Sequence, residues 1–335
     1  MKNNDKHNDQ ILLTSRIRLA RNIAGYPYPS AMSDEEAKEL TEKIVDVLHK
    51  RDDVWTFHRL DADRPLQNFY DLEENRISTQ LMSNKEHGGY FIGENDETIM
   101  VMEEDHLRMQ DMRKGFYLDE EYENMKNLAH YFEEHLPISY DKRLGYLTAC
   151  PTNVGTGLRA GCMMHLPALD TLGIDQLARS ITRMGFVLRG MRGEGSKIIG
   201  HVYQISNERT LGLSEEEFLE RAKSIAEEVT ALERVKRKEM YLDHLIELED
   251  MARRSYGILR NARIITYEEA MLHLSHMKLG IELSVLAPKK DFDFYDVMID
   301  LGRAHLQMER GSFLDEKSSN IYRANKVRKF IKEVF

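Results

Sequence analysis

Every β-prone run in this chain falls before residue 206, and the remainder of the sequence is almost entirely helical in pattern. Short apolar runs bounded by turn residues occur at 54–60 ("VWTFHRL"), 97–102 ("ETIMVM"), 144–149 ("LGYLTA"), 186–189 ("FVLR") and 198–205 ("IIGHVYQI"). The segment "ILLTSRIRLA" (11–20) alternates after Leu13, which puts Arg16 and Arg18 on one face of a strand and Ile17 and Leu19 on the other. Helical periods lie between these runs at 33–50, 119–135 and 167–184. The first opens on a Ser33–Glu36 capping box and carries Ala37, Leu40, Ile44, Val47 and Leu48 as one apolar stripe. The third has Pro167 at its first position and Gly185 at its end. A long helix comes next over 213–240 with a second box, Ser214 and Glu217. Another is capped by Thr266 and Glu269, and a mostly polar helix spans 319–334. The distribution predicts an α+β domain over residues 1–236 and an all-helical domain over 237–335. Two domains are also the prior for 335 residues.

Charge and cysteine content narrow the function classes. A formal net charge of −10 argues against general affinity for nucleic acid or an anionic membrane, while leaving room for a local basic pocket. Two cysteines, Cys150 and Cys162, are too few for a disulfide framework. The opening "MKNNDKHNDQ" has no apolar core, and no run of 18 apolar residues occurs, so a cytoplasmic location is expected.

Four segments carry reactive side chains. "TSRIR" (14–18) presents two guanidinium forks in one direction, suited to phosphate oxygens or to a solvated basic strand. "VMEEDHLR" (101–108) loads Glu103, Glu104, Asp105, His106 and Arg108 onto a strand end. It reads as a charged turn or as a site in which only one of the two glutamates faces the ligand, with Asp105 and His106 as structural supports. "CPTNVGTGLRAG" (150–161) reads as an irregular loop whose backbone can approach a ligand, with Arg159 projecting from it. Cys150 is there either a perturbed thiolate or an inert thiol. "RGMRGEGS" (189–196) pairs Arg189 with Glu194, or is a charged glycine hairpin. No Walker P-loop is present. Jointly, five arginines would neutralise a nucleotide triphosphate and two glutamates would hold a cation, which suggests phosphoryl transfer to a basic nitrogen.

In order and spacing, "TSRIRLARN", "EEDHLR", "CPTNVGTGLRAG", "RGMRGEGS" and "YQISNERTLGLSE" (203–215) resemble the catalytic signature of the phosphagen (guanidino) kinases over about residues 12–236. The resemblance implies an antiparallel sheet flanked by helices, like that of glutamine synthetase, and Mg-ATP-dependent phosphorylation of a guanidinium group. Phosphagen kinases carry a helical domain before the first arginine motif. Here that motif starts at Thr14 and the additional residues lie at the C-terminus, an arrangement similar to the bacterial protein arginine kinases. The resemblance therefore implies ATP and Mg, protein substrates with exposed arginines such as a heat-shock repressor, an activating adaptor, a Clp ATPase in stress-linked degradation, and a homodimer. Residue by residue, it implies that Ser15, Arg16, Arg18, Arg108, Arg159 and Arg189 bind the nucleotide. Glu104 and Glu194 grip the guanidinium, and Cys150 is the active-site cysteine.

Two positions depart from the family pattern. Gln80 aligns where relatives have a nucleotide-contacting histidine. "SNIYRA" (319–324) keeps Arg323 and Ala324 of a phosphoarginine-binding motif but has Ser319 and Asn320 in place of its Arg-Asp pair. A kinase of a free guanidino metabolite and a non-catalytic adaptor with a kinase-like fold are the competing readings. The intact arginines and glutamates weigh against the second.

Overall fold

A computed structural model of the protein describes residues 10–60, 65–83, 88–191 and 197–335, and ten strands and twelve α-helices form among these described residues. In chain order they are β1 (Leu12–Arg21), α1 (Asp34–Leu48), β2 (Trp55–Arg59), α2 (Pro65–Glu73), α3 (Thr79–Ser83), β3 (Gly89–Gly93), β4 (Thr98–Val101), β5 (Leu107–Lys114), α4 (Leu118–His135), β6 (Tyr140–Asp141) and β7 (Gly145–Tyr146). Next come β8 (Leu158–His165), α5 (Pro167–Leu172), α6 (Ile174–Arg183), β9 (Phe186–Gly190), β10 (Val202–Asn207), α7 (Glu215–Asp243), α8 (Leu245–Asn261), α9 (Tyr267–Glu282), α10 (Phe294–Asp300), α11 (Arg303–Arg310) and α12 (Glu316–Val334). Eight strands make one sheet in the order β2-β3-β4-β5-β1-β8-β10-β9, while β6 and β7 pair separately. The pairs from β2 through β5 to β1 are antiparallel. This is the expected α+β architecture, an antiparallel sheet flanked by helices and followed by a helical region.

Local chemistry explains several element boundaries. The Ser33–Glu36 box closes reciprocally at the start of α1, and all five stripe residues are buried. Ser214 and Glu217 close a second box ahead of α7, and Thr266 caps α9 through the Glu269 amide. Elsewhere the pattern misleads. The run at 144–149 yields only the two-residue β7, because the chain there bonds across to Gly155 rather than along a ladder. The period at 167–184 is two helices, with Gly173 closing α5 and opening α6. The end of "CPTNVGTGLRAG", the "LRAG" of 158–161, is strand and not loop, so Arg159 stands on β8.

Packing divides the chain into two compact units. One comprises Thr14–Cys162 and Ser206–Ser224; the other takes the chain up to Leu13, Met163–Ile205 and Ile225–Phe335. This division does not coincide with the boundary expected at residue 236, because Leu13, Met163, Met191 and Val202 share one core with Met271, Leu274, Phe294 and Val327. Within the second unit an ionic chain joins the buried Glu233 to Arg237 (2.8 Å), Arg237 to Glu282, Glu282 to Lys278 (3.7 Å), and Lys278 to the exposed Asp291 (3.0 Å). Glu233 also accepts the first free amides of α5, Ala168 N (3.1 Å) and Leu169 N (2.8 Å). Arg323 is buried there as well. Its Nε donates to Leu301 O at 2.9 Å and its Nη1 to Ile265 O at 3.2 Å and to Asn320 Oδ1 at 2.6 Å. No helix among the described residues is long and apolar enough to cross a membrane.

Candidate active site

The alternation of β1 sets the site. Arg16 and Arg18 are half-buried on one face of the strand, while Ile17 and Leu19 are fully buried on the other. The register places Arg18 opposite Gln110 and Ala20 opposite Arg108, so Arg108 projects to the same face as the two β1 arginines. Arg159, also half-buried, is near enough for its charge to act on Arg18 together with those of Arg16 and Arg108. Burial first, and then these three cations, push the Arg18 guanidinium well below its usual range, with Glu103 opposing. An arginine does not give up its proton under such pressure. The shift instead marks a buried cation set among like charges. Consistent with this, Arg18 Nε is buried and has no hydrogen-bond partner among the described residues. A polyanion would satisfy that donor and relieve the repulsion at once.

The acids sit on a tight hairpin between β4 and β5. Met102 adopts a left-handed conformation (φ 58°), and the turn closes through Met102 N to His106 O and Glu103 N to Asp105 O, both 3.2 Å. This turn sorts the two glutamates. Glu103 is 2% exposed, its carboxylate held by Arg108 Nη1, Ser78 Oγ and the Glu104 amide. Glu104 is exposed. Partial burial, then Asp105 and Glu103, raise its carboxyl above the ordinary glutamate range, and Arg108 and Arg159 pull the other way. A basic carboxylate therefore stands beside the cation cluster. Asp105 and His106 are consumed in bracing. Asp105 Oδ1 accepts from Asn22 Nδ2 (2.6 Å) and Ala149 N (2.7 Å). His106 Nδ1 accepts from Ile23 N (3.0 Å), which leaves Nε2 to donate to Pro27 O (2.7 Å). Burial lowers the imidazole below its usual range, so it is a neutral support.

The loop before β8 completes this face. Arg159 donates from Nε to Asn153 Oδ1 and from Nη2 to Thr152 Oγ1, both at 2.9 Å. The same hydroxyl lies 3.1 Å from the half-buried Cys150 Sγ. The loop glycines serve the chain's own packing. Gly155 sits at φ 116° where a Cβ would fall 2.4 Å from Thr210 O, and Gly157 at φ 65° with Ala20 O 2.7 Å from that position.

The structure thus brings together Arg16, Arg18, Arg108, Arg159 and Glu104. The Ser15 hydroxyl does not join them: it is buried on the opposite face, donating to Glu121 Oε1 and accepting from Tyr117 N, each at 2.8 Å. Arg189 is half-buried on β9, in the other packing unit, and Gln80 is exposed on α3. Glu194 lies outside the described residues. Ser78, Thr152 and Asn153 were not singled out by the sequence, since short polar residues beside turns are common, and Glu103 was named there without a role distinct from that of Glu104. The third arginine of "TSRIRLAR", Arg21, is a brace: buried, bonded to Thr156 O (2.9 Å) and Glu133 (3.2 Å), and stacked 3.4 Å over Tyr146. A cavity of about 190 Å³ lined by Trp55, Glu94, Glu97 and Asn124 shares no residue with the cluster, and its acidic lining does not suit a phosphate.

Comparison with known proteins gives the family of the chain. Residues 36–236 match the family model of the ATP:guanido phosphotransferase C-terminal catalytic domain. The chain belongs to that family. Residues 245–334 match the protein-arginine kinase McsB C-terminal domain. A protein-arginine kinase of Clostridium tetani is 38% identical over 97% of this chain and 96% of that one. One from Geobacillus stearothermophilus is 39% identical over 96% and 90%. Among solved structures, a lombricine kinase superposes with a TM-score of 0.62 at 26% identity, covering 71% of this chain and 70% of that one. A duplicated taurocyamine kinase from Schistosoma mansoni superposes with a TM-score of 0.61 at 21% identity over 82% and 46%, a likeness of fold. This member of the guanidino phosphotransferases keeps its arginines on rigid strands and its exposed carboxylate on a hairpin tip.

Proposed function

We propose that this chain transfers the γ-phosphoryl group of ATP to arginine side chains of proteins. The observation that carries the reading is the buried, partnerless Arg18 Nε–H amid three further guanidinium groups, with exposed Glu104 alongside. One side of the site calls for a polyphosphate and the other for a cation. The curated relatives named protein-arginine kinase, similar over nearly their whole length, support a protein as the acceptor.

Charge dictates the chemistry. A guanidinium has a pKa above about 12, so its nitrogen has no free lone pair at neutral pH. Glu104 binds the substrate guanidinium and takes a proton from the attacking nitrogen as the N–P bond forms and the bond from Pγ to the β-phosphate oxygen breaks, releasing ADP. General-base help of this kind contributes about 10²–10⁴-fold. Arg16, Arg18, Arg108 and Arg159 hold the phosphates and spread the charge of a loose transition state, with Arg189 assigned the same task. Among the described residues no group of three or more His, Cys, Asp or Glu side chains is placed to hold a metal ion. The arginine-lined face instead suits a Mg ion carried in on the phosphate oxygens of ATP, where it neutralises charge. Glu194 supplies the second grip on the guanidinium, and Cys150 lies beside the acceptor.

The wider role within this reading is to mark cytoplasmic proteins, a heat-shock repressor among them, for a Clp protease, with an activating adaptor. Residues 237–335 serve dimerisation and recognition either of the substrate or of the modified arginine. Incubation with Mg-ATP and a protein substrate, with mass-spectrometric mapping under conditions that preserve acid-labile phosphate, tests the core claim. Phosphate on arginine is the expected result; phosphate confined to Ser, Thr or Tyr overturns it. Rapid turnover of free arginine with none on protein would make the acceptor a metabolite.

A further inference from the structure

Glu103 is an acid of the hairpin to which the phosphoryl-transfer chemistry gives no task, yet its carboxylate is held from three sides. Its Oε1 accepts from both Arg108 Nη1 and Ser78 Oγ, and its Oε2 accepts the Glu104 amide at 3.0 Å. Ser78 Oγ in turn accepts Leu81 N at 3.0 Å, capping α3, so the hydroxyl ties that helix to the hairpin. Arg108 itself is 23% exposed on the cation face, and its Nε and Nη2 make no hydrogen bond among the described residues. Those donors remain for a ligand while Nη1 is held from behind.

We infer that Glu103 is a positioning residue, one carboxylate that aims the Arg108 guanidinium at the nucleotide phosphates and fixes the backbone of the acceptor-side Glu104, with Ser78 locking the carboxylate in place. The inference rests on the proposed reading of the site. It has a physical rationale beyond packing. A buried ion pair contributes little net stability, and an apolar pair of similar volume would fill the space as well or better. What an apolar pair cannot do is hold a cation at a defined point and set a buried anion beside Arg108 and Arg18. Holding Arg108 in advance removes the ordering cost that ATP would otherwise meet on binding. Because the same carboxylate carries the Glu104 amide, donor and acceptor sides are indexed to one atom group.

The test compares Glu103→Gln and Ser78→Ala with the wild-type protein in the phosphoarginine assay, measuring kcat, KM for ATP, the pH profile of kcat/KM and thermal melting. Glu103→Gln keeps the shape and removes the charge. It is expected to raise KM for ATP by about 10- to 100-fold, the scale of one charged hydrogen bond, and to lower kcat. It should also move the acid limb of the profile to lower pH, since a like charge next to Glu104 has gone. Ser78→Ala leaves the charge in place; it should raise KM for ATP by a smaller factor and leave the acid limb where it is. If Glu103→Gln fails to fold, Ser78→Ala alone decides. Folded variants with wild-type KM, kcat and acid limb overturn the positioning role, as does a loss confined to melting temperature. A wild-type protein that makes no phosphoarginine overturns the reading of the site, and the inference falls with it; an active wild type with unaffected variants overturns the inference alone.

Discussion

Arg159 donates from Nη2 to Thr152 Oγ1 at 2.9 Å, and that hydroxyl is also the neighbour of Cys150 Sγ at 3.1 Å. One threonine thus links Arg159, a phosphate-binding cation in the proposed reading, to the thiol. Thr152→Val keeps the side-chain shape and deletes the hydroxyl, taking away the Nη2 tether of Arg159 and leaving the Nε bond to Asn153. Losing this one tether, from a charged donor to a neutral acceptor, while the Nε bond remains should raise KM for ATP by about 2- to 10-fold. Arg159→Lys should cost more, because a single ammonium cannot span both Asn153 and Thr152 and present a fork to phosphate. Steady-state kinetics with varied ATP check the ranking. An unchanged KM in Arg159→Lys would remove that guanidinium from nucleotide binding.

Glu104→Gln should separate chemistry from binding. The amide can still contact a guanidinium but cannot take its proton, so kcat is expected to drop by about 10²–10⁴-fold while ATP affinity, measured by calorimetry, holds. The wild-type pH profile carries the matching signature. In the proposed reading Glu104 works ionised, and partial burial with Asp105 and Glu103 raises its pKa. Activity should therefore be lost as pH falls through a value above the ordinary glutamate range. An acid limb at the ordinary value would mean that Glu104 is not the base.

Much of this was legible in the chain, for reasons that can be named. Period-two alternation on β1 placed Arg16 and Arg18 together because strand side chains alternate strictly. The same rule, applied to Ser15, would have put its hydroxyl on the far face, where it is found on Glu121. Parity could not separate Glu103 from Glu104, because the left-handed Met102 breaks the alternation at the point where it was needed. β8 was invisible because Ala160 and Gly161 dilute its apolar pattern, and its strand character comes from its central place in the sheet. The loop glycines 155 and 157 read as room for a ligand, whereas the approach they permit is to Thr210 and Ala20.

The Ser15 contact has its own consequence. Glu121 is fully buried, and burial pushes its carboxyl from the ordinary 4.5 to about 8, with Ser15 opposing. The folded chain therefore holds this proton over a range in which the unfolded chain has released it. Its contribution to stability is complete below the unfolded value of 4.5 and is lost as pH rises through the folded value of about 8. Glu121→Gln retains an acceptor for Ser15 Oγ and Arg113 N without titrating. Urea unfolding across about pH 5 to 8 should show a flatter dependence of stability on pH in the variant. Parallel curves would place an ionised Glu121 in the folded protein.

Arg323 gives the sharpest separation of structure from recognition. In the family resemblance it belongs to a phosphoarginine motif, yet here its Nε and Nη1 are hydrogen-bonded to Leu301 O, Ile265 O and Asn320 Oδ1 in a buried setting. Two backbone carbonyls, one just past α10 and one just before the cap of α9, depend on it. Arg323→Met fills the volume but leaves both acceptors without their donor, at a cost of about 1–3 kcal/mol each. The urea midpoint should fall accordingly, and Arg323→Lys should recover only part of the loss because an ammonium cannot reproduce the spread of a guanidinium. If the midpoint is unchanged in Arg323→Met while phosphoarginine stabilises the wild type alone, then the side chain is a receptor and not a brace. The hydrogen bonds here argue for the brace.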